Sequence, residues 1–377
     1  MLAYVCNSDF TTGPDGGSPH DAVSVIDVDP ATGAMKVVQT IGGLRNPSYL
    51  ARNPKIPVLY VVERWVNPDR SLPSPEQMQG DCLTTFAIDP VDGTLSLLGR
   101  HPTGGESPMH LNVHPNGRFV LIVNPGRPED RDPDHGHVTV IRVGDDGLPV
   151  EICTSLHYQG RPPLWRSRTK PYPHSIFADP QWRRIFVPIL MVDRVMMYEF
   201  DQNSGTLTLN AQPYAQVNSG AGPRHLAFHP NGKRFYLLNS MDATIAVFSY
   251  NAEKGTAGIV QTISAHPRGF DGKRSTSHIL VGPTGRNLYC THRTDDSIAV
   301  FSIDETTGEL TLIGHRKTLG KKPRDFVFDP SGRLMLVANQ PSHMIASFFV
   351  DPATGDIEPT GQSLETFGAN SIVFGAG

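Results

Sequence analysis

Pairs of prolines seven residues apart recur along the chain, and punctuation at a fixed period constrains a fold more than any single motif. The pairs are Pro47 with Pro54, Pro108 with Pro115, Pro173 with Pro180, Pro223 with Pro230, and Pro323 with Pro330. A further copy has Thr276 in the first place and Pro283 in the second. The clearest copy runs from Gly222 to Tyr250, GPRHLAFHPNGKRFYLLNSMDATIAVFSY. Leu226 to Phe228 reads as a short apolar strand, and HPNGK supplies the Pro and Asn-Gly chemistry of a tight turn. RFYLL reads as a second strand. Polar SMDA then leads into TIAVFSY, whose β-branched and aromatic residues suit a pleated, half-buried surface. No 3.6-residue apolar period runs through the stretch, so it is not helical.

The tail GANSIVFGAG places Ile372 where Leu226 stands in the template, and so reads as one more opening strand without a continuation. The start of the chain supplies it. AYVCNSD resembles a second strand, AVSVIDVDPATG a third and MKVVQTI a fourth. The runs DPATG, DPVDG, DQNSG, DETTG and DPATG mark the turns between third and fourth strands. The expected fold is therefore all-β: a seven-bladed β-propeller of four-stranded antiparallel blades, its units roughly 54 residues long. It closes by pairing the C-terminal strand with the N-terminal blade, which removes exposed sheet edges. Residues 1–377 are expected to form one domain. The 36 glycines and 33 prolines fit a turn-dense chain of this kind.

A formal charge of −4 argues against a nucleic-acid partner, which requires a basic face. No apolar run approaches the roughly 20 residues of a membrane-spanning helix. The first residues already read as a strand, so no cleaved signal peptide is expected in this sequence. Cys6, Cys82, Cys153 and Cys290 fall in different blades without CxxC spacing. That pattern is expected of reduced thiols in a cytoplasmic protein.

In a propeller, the linker entering each first strand and the loop after each second strand converge on one face. Just after the first anchor stand Ser48 and Tyr49, Met109 and His110, His174 and Ser175, Arg224 and His225, Ser277 and His278, and Arg324 and Asp325. The second strands end in Glu63 and Arg64, Asn124 and Pro125, Ile189 and Leu190, Asn239 and Ser240, His292 and Arg293, and Asn339 and Gln340. Only one of each pair should face the channel mouth, because successive strand residues alternate faces. Insertions at 64–81 and before His174 share that face, and the second carries Arg161, Arg166, Arg168 and Lys170, a candidate collar for an anionic ligand. His135 and His137 form an HxH pair that reads as surface histidines rather than metal ligands. His114 and His229 precede turn prolines and read as turn residues.

The constellation with chemistry in it is His174, Arg224 and Arg293 as catalytic candidates. Arg324, His110, His225, His278, His292, Glu63, Asn239 and Ser240 are candidate substrate-binding residues. Histidine can take a proton from water near neutral pH, and arginines can hold a phosphate or carboxylate bidentately and stabilise an oxyanion. Together they suit attack of water on the carbonyl of an anionic sugar lactone. That chemistry needs no cofactor and no metal. The expected partner is a small anionic lactone or sugar acid, with no nucleic acid and no membrane.

GPRHLAFHPNGKRFY, DDSIAVFSIDETTGEL and KPRDFVFDPSGRLMLVANQ resemble the repeats of the 6-phosphogluconolactonase-type propeller lactonase family, which also includes the carboxy-cis,cis-muconate lactonising enzyme of fungi. The resemblance covers essentially the whole chain. It implies a carboxylic ester hydrolase of carbohydrate metabolism, with the site histidine at His174, the arginine of the GPRH motif at Arg224 and an arginine after a second strand at Arg293. The resemblance also implies an acidic residue where this chain has Ser240, after Asn239. An aspartate-leucine-glycine loop is replaced here by Ile189-Leu190-Met191, and asparagine-tyrosine-glycine by Asn124-Pro125-Gly126. Apolar Ile189 and Met191 point either to a less polar ligand or to a loop that packs differently. The substitution at Ser240 keeps two alternatives open: a non-catalytic propeller that binds a small anion or protein partner, and a muconate-type cyclase.

Overall fold

The computed structural model describes residues 1–10, 18–64, 81–126, 136–158, 171–267 and 269–375. Seven four-stranded antiparallel sheets make up the fold. The split blade joins β28 (Ala369–Phe374) to β1 (Leu2–Asn7), β2 (Ala22–Val28) and β3 (Met35–Gly42). Blade two is β4 (Pro47–Arg52), β5 (Val58–Glu63), β6 (Cys82–Ile88) and β7 (Leu95–Pro102). Blade three is β8 (His110–Val113), β9 (Phe119–Asn124), β10 (His137–Val143) and β11 (Pro149–His157). Blade four is β12 (Phe177–Ala178), β13 (Arg184–Ile189), β14 (Arg194–Phe200) and β15 (Leu207–Gln216). Blade five is β16 (Pro223–Phe228), β17 (Arg234–Asn239), β18 (Thr244–Asn251) and β19 (Thr256–Ser264). Blade six is β20 (Thr276–Val281), β21 (Asn287–His292), β22 (Ser297–Ile303) and β23 (Leu310–Lys317). Blade seven is β24 (Pro323–Phe328), β25 (Leu334–Asn339), β26 (Met344–Val350) and β27 (Ile357–Glu365). The expected propeller and its closure are both present: β28 pairs antiparallel with β1, Val5 opposite Ile372.

Second strands are buried along all of their length, or all but the first residue in β1 and β17, and fourth strands are largely exposed to solvent, which sets the core between the faces of neighbouring blades. Phe186 of blade four and Phe235 and Phe248 of blade five share one such layer. A second device latches the blades. Tyr4, Tyr60, Tyr236 and Tyr289 are buried on second strands, and each donates its hydroxyl to a glycine carbonyl in the next blade: Gly93, Gly147, Gly308 and Gly355, at 2.6–3.1 Å. Those glycines take φ between 69° and 80°, which turns the carbonyl toward the tyrosine at no Cβ cost. Where blades three, five, six and seven have a positive-φ glycine after the first strand, blade four has Trp182 at φ 56°, held edge-on against His114.

The turn histidines behave as the sequence suggests. The Nδ1 atoms of His114 and His229 accept the amides of Asn116 and Asn231. His137 opens β10 and lies against His157, ring centroids 3.9 Å apart. His135, the collar residues Arg161 to Lys170 and most of the insertion after Arg64 lie outside the described residues. All four cysteines are free of disulfides. Among the described residues no helix is long and apolar enough to cross a membrane.

Candidate active site

At the entrance to most first strands the strict two-residue alternation is broken. Register shifts fall between Pro47 and Tyr49, Pro223 and His225, Thr276 and Ile279, and Pro323 and Asp325. Each bulge re-aims the residues after the anchor. The second residue after the anchor forms a row at the centre: half-buried Tyr49 packs on His110 at 4.1 Å between ring centroids, buried His110 on His225 at 5.3 Å, and His225 on His278 at 5.1 Å. His278 Nε2 then lies 3.5 Å from Asp325 Oδ1, and Asp325 Oδ2 accepts the amide of Ile372 in the closing strand.

His174 joins this row from blade four, its ring edge-on to His225 at 5.4 Å and to Tyr172 at 6.1 Å. Its backbone is fixed by a hydrogen bond from its amide to the Pro188 carbonyl at 2.9 Å. Its ring Nδ1 is buried without a hydrogen-bond partner. Burial, reinforced by the charges of Arg224, Arg324, His110 and Arg64, holds this imidazole well below the ordinary histidine range. The same causes keep its neighbours neutral: burial and then the His278 and Arg224 charges push His110 down to about 3.

The first residues after the anchors bring in the cations. Arg224 is buried and donates its Nε to the Ser277 carbonyl at 2.8 Å. Burial and the Arg293 charge push it down to about 9. Arg324 is lowered well below its usual range by burial and then by Arg293, Arg224 and Arg64. Arg293 follows β21, is lowered by burial, and has a buried Nε without a partner. Among the described residues, none of Arg224, Arg293 and Arg324 has a carboxylate ion-pair partner. Clustered, largely buried guanidiniums without a carboxylate partner among the described residues favour an anion beside them.

The family model of the seven-bladed β-propeller lactonases matches residues 11–374. The chain belongs to that family. The 6-phosphogluconolactonase of Formosa agariphila is 28% identical over 357 residues, covering 94% of this chain and 95% of the relative. That of Bacillus subtilis is 29% identical over 340 residues, 90% of each chain. Among solved structures, the periplasmic gluconolactonase PpgL of Pseudomonas aeruginosa superposes with a TM-score of 0.86 at 27% identity, covering 100% of this chain and 99% of that one. The enzyme reading of the sequence agrees with this membership.

Not every candidate of this lactonase-family chain meets at the centre. Glu63 accepts from the Arg45 amide, the Thr84 hydroxyl and Arg100 Nε, and lines a cleft of about 440 Å³ with Gly43, Cys82 and His101. Its charge is thus committed to blade two. The ring of His292 packs on His266 at 4.2 Å and on His315 at 5.7 Å, away from the row of His110, His225 and His278. Asn239 donates to the Thr244 hydroxyl at 2.9 Å, a strand-end tie that Asn124 repeats with Thr139. Ser240 donates to the Thr276 carbonyl at 3.4 Å. Ile189 and Met191 are buried, Ile189 in the core between blades three and four, so the loop that carries them packs inward and does not line an apolar mouth.

Sequence reasoning left four residues out of the site. Arg64 stands after β5 where Arg293 stands after β21, a correspondence the repeat could have shown. Asp325 occupies the place of His225 and His278 in its own repeat. Tyr172 lies close enough to Arg224 and Arg324 to oppose the lowering of both. Phe10 is packed by the guanidiniums of Arg64 and Arg324, at 5.5 Å and 4.7 Å from its ring centroid, and no repeat signal marks it.

Proposed function

We propose that the chain is a hydrolase that opens a small anionic sugar lactone, 6-phosphogluconolactone or a close relative. The observation that carries this reading is the group of Arg224, Arg293 and Arg324, lowered by burial and without carboxylate partners among the described residues, beside a neutral histidine whose ring Nδ1 has no hydrogen-bond partner. The names of the two curated relatives, both 6-phosphogluconolactonases, support the substrate class.

In this reading Arg224 and Arg324 hold the anionic group, and Arg293 faces the oxygen on which charge develops. His174 takes a proton from water as the water oxygen adds to the lactone carbonyl. When the ring C–O bond breaks, the imidazolium returns that proton to the leaving oxygen. One water is consumed and one hydroxy acid is formed, with no redox change. In the free protein burial first, and then the charges of Arg224, Arg324, His110 and Arg64, depress His174. The substrate anion would neutralise the arginine share, so binding itself restores part of the imidazole's basicity. A cytoplasmic location belongs to this proposal, since four free thiols suit a reducing compartment.

The muconate-type cyclisation loses its expected carboxylate to Ser240. The non-catalytic reading keeps the arginines as an anion site. Comparing kcat/KM for 6-phosphogluconolactone and the unphosphorylated lactone separates the readings. Preference for the phosphorylated lactone of about 100-fold or more is expected, the scale of a lost charge-assisted contact set. No turnover of either, with phosphate still bound, would leave a binding protein.

A further inference from the structure

His292 faces away from the lactone site, and the group it faces has an unusual shortage of partners. His266 follows β19, His292 ends β21, and Asp295 lies in the loop from β21 to β22. The ligating atoms of the three lie within 4.8 Å of one another. Both ring nitrogens of His266, Nδ1 of His292 and Oδ1 of Asp295 are buried without a hydrogen-bond partner. His266 is 3% exposed and His292 is fully buried. Buried polar atoms are ordinarily paired, so orphans on three neighbouring side chains, each offering one ligating atom to the same place, call for a common partner.

We propose that His266, His292 and Asp295 form a divalent metal site of the zinc class. Two imidazoles and one carboxylate are a donor set that this class of ion takes, with a fourth position left for water. The supports that such a site needs are present. The Asp295 carboxylate is oriented by the Ser297 hydroxyl, which donates to Oδ2 at 2.9 Å and leaves Oδ1 open. The His266 ring is stacked on Phe270 at 3.9 Å with 6° between planes. Its main chain is fixed by the bond from its amide to Ser264 Oγ. Lys317 donates to the main-chain carbonyl of Asp295, and so leaves the carboxylate to the site.

Ligands at about 2.0–2.2 Å from zinc stand roughly 3.4 Å apart in a tetrahedron, so loading draws the three side chains slightly together. That movement ties the connection between β19 and β20 to the end of β21. Arg293 is the next residue after His292. The metal therefore positions an arginine of the lactone site from outside it, without touching the lactone.

The test uses the full chain, stripped with a chelator and titrated with Co²⁺, whose visible absorption reports the coordination, followed by competition with Zn²⁺. Saturation at one equivalent, displaced by Zn²⁺, is expected. Affinity should fall about 10-fold or more in Asp295→Asn and in His266→Ala, with circular dichroism unchanged. Absence of saturable binding would overturn the proposal. So would binding that both variants leave intact, since other histidines would then hold the ion. Should His266→Ala fail to fold, Asp295→Asn, a half-buried loop residue, decides alone.

Discussion

The Nδ1 atoms of His225 and His278 lie 2.9 Å apart, so one of them carries a proton and the other accepts it. Both rings are buried, and Asp325 beside His278 Nε2 favours the proton on that nitrogen. His278 then offers the lone pair of Nδ1, and His225 donates from its own Nδ1. One proton added to this neutral pair would place a cation in the dry centre of the propeller.

Acid should therefore unfold this protein early. Burial lowers His110, His174, His225 and His278 in the folded state, so the unfolded chain binds more protons below the ordinary histidine value near 6.5. Stability is fully present above that value and is lost as pH falls from there toward the folded value of His110 near 3. Melting temperature measured across this window should drop steadily, and a flat profile from pH 7 to pH 5 would show that these rings are not neutral in the fold.

Phosphate should stabilise the protein through the arginines. A ligand at about a hundred times its Kd adds about 2.7 kcal/mol to stability, which is readable as a rise in Tm. The rise should vanish in Arg224→Ala and in Arg324→Ala. It should persist in Arg316→Ala, because Arg316 is engaged with Asp356 at the surface at 2.6 Å.

The pH dependence of turnover should differ between free and occupied enzyme. Burial, and then the charges of Arg224, Arg324, His110 and Arg64, depress His174 in the free protein, and a bound anion offsets the arginines' share. The acid limb of kcat should accordingly lie at higher pH than that of kcat/KM, the two profiles reporting the complex and the free enzyme. Coincident limbs would mean that His174 does not sense the arginines.

The blade latches should be measurable one at a time. Replacing Tyr236 by Phe removes the donor to the Gly308 carbonyl and leaves that buried oxygen unpaired. The expected cost is about 1–2 kcal/mol in urea unfolding, with an unchanged m-value.

The repeat made the architecture legible because each blade carries its own turn chemistry: Gly33, Gly93 and Gly355 all turn where the DPxxG runs place them. The site was legible only to the level of the repeat position. Sequence places Arg224 and His225 at a strand entrance, but the bulge between Pro223 and His225 decides which faces the centre, and period-two alternation does not survive it. His292 and Glu63 shared a repeat position with true neighbours of the mouth, yet strand-end side chains turn toward whatever packs beside them: His266 in one case, Arg100 in the other. Phe10 lies in no repeat element, so only three dimensions bring it to Arg64 and Arg324.

The most direct test of the lactonase account is the rate of 6-phosphogluconolactone opening, corrected for spontaneous hydrolysis, with the unaltered chain beside His174→Ala. The account predicts an acceleration that falls about 100-fold or more in the variant, roughly 2.7 kcal/mol of barrier, while phosphate still raises its Tm. An equal rate in both proteins would remove His174 from the chemistry, and no acceleration over background in either would contradict hydrolysis of this lactone.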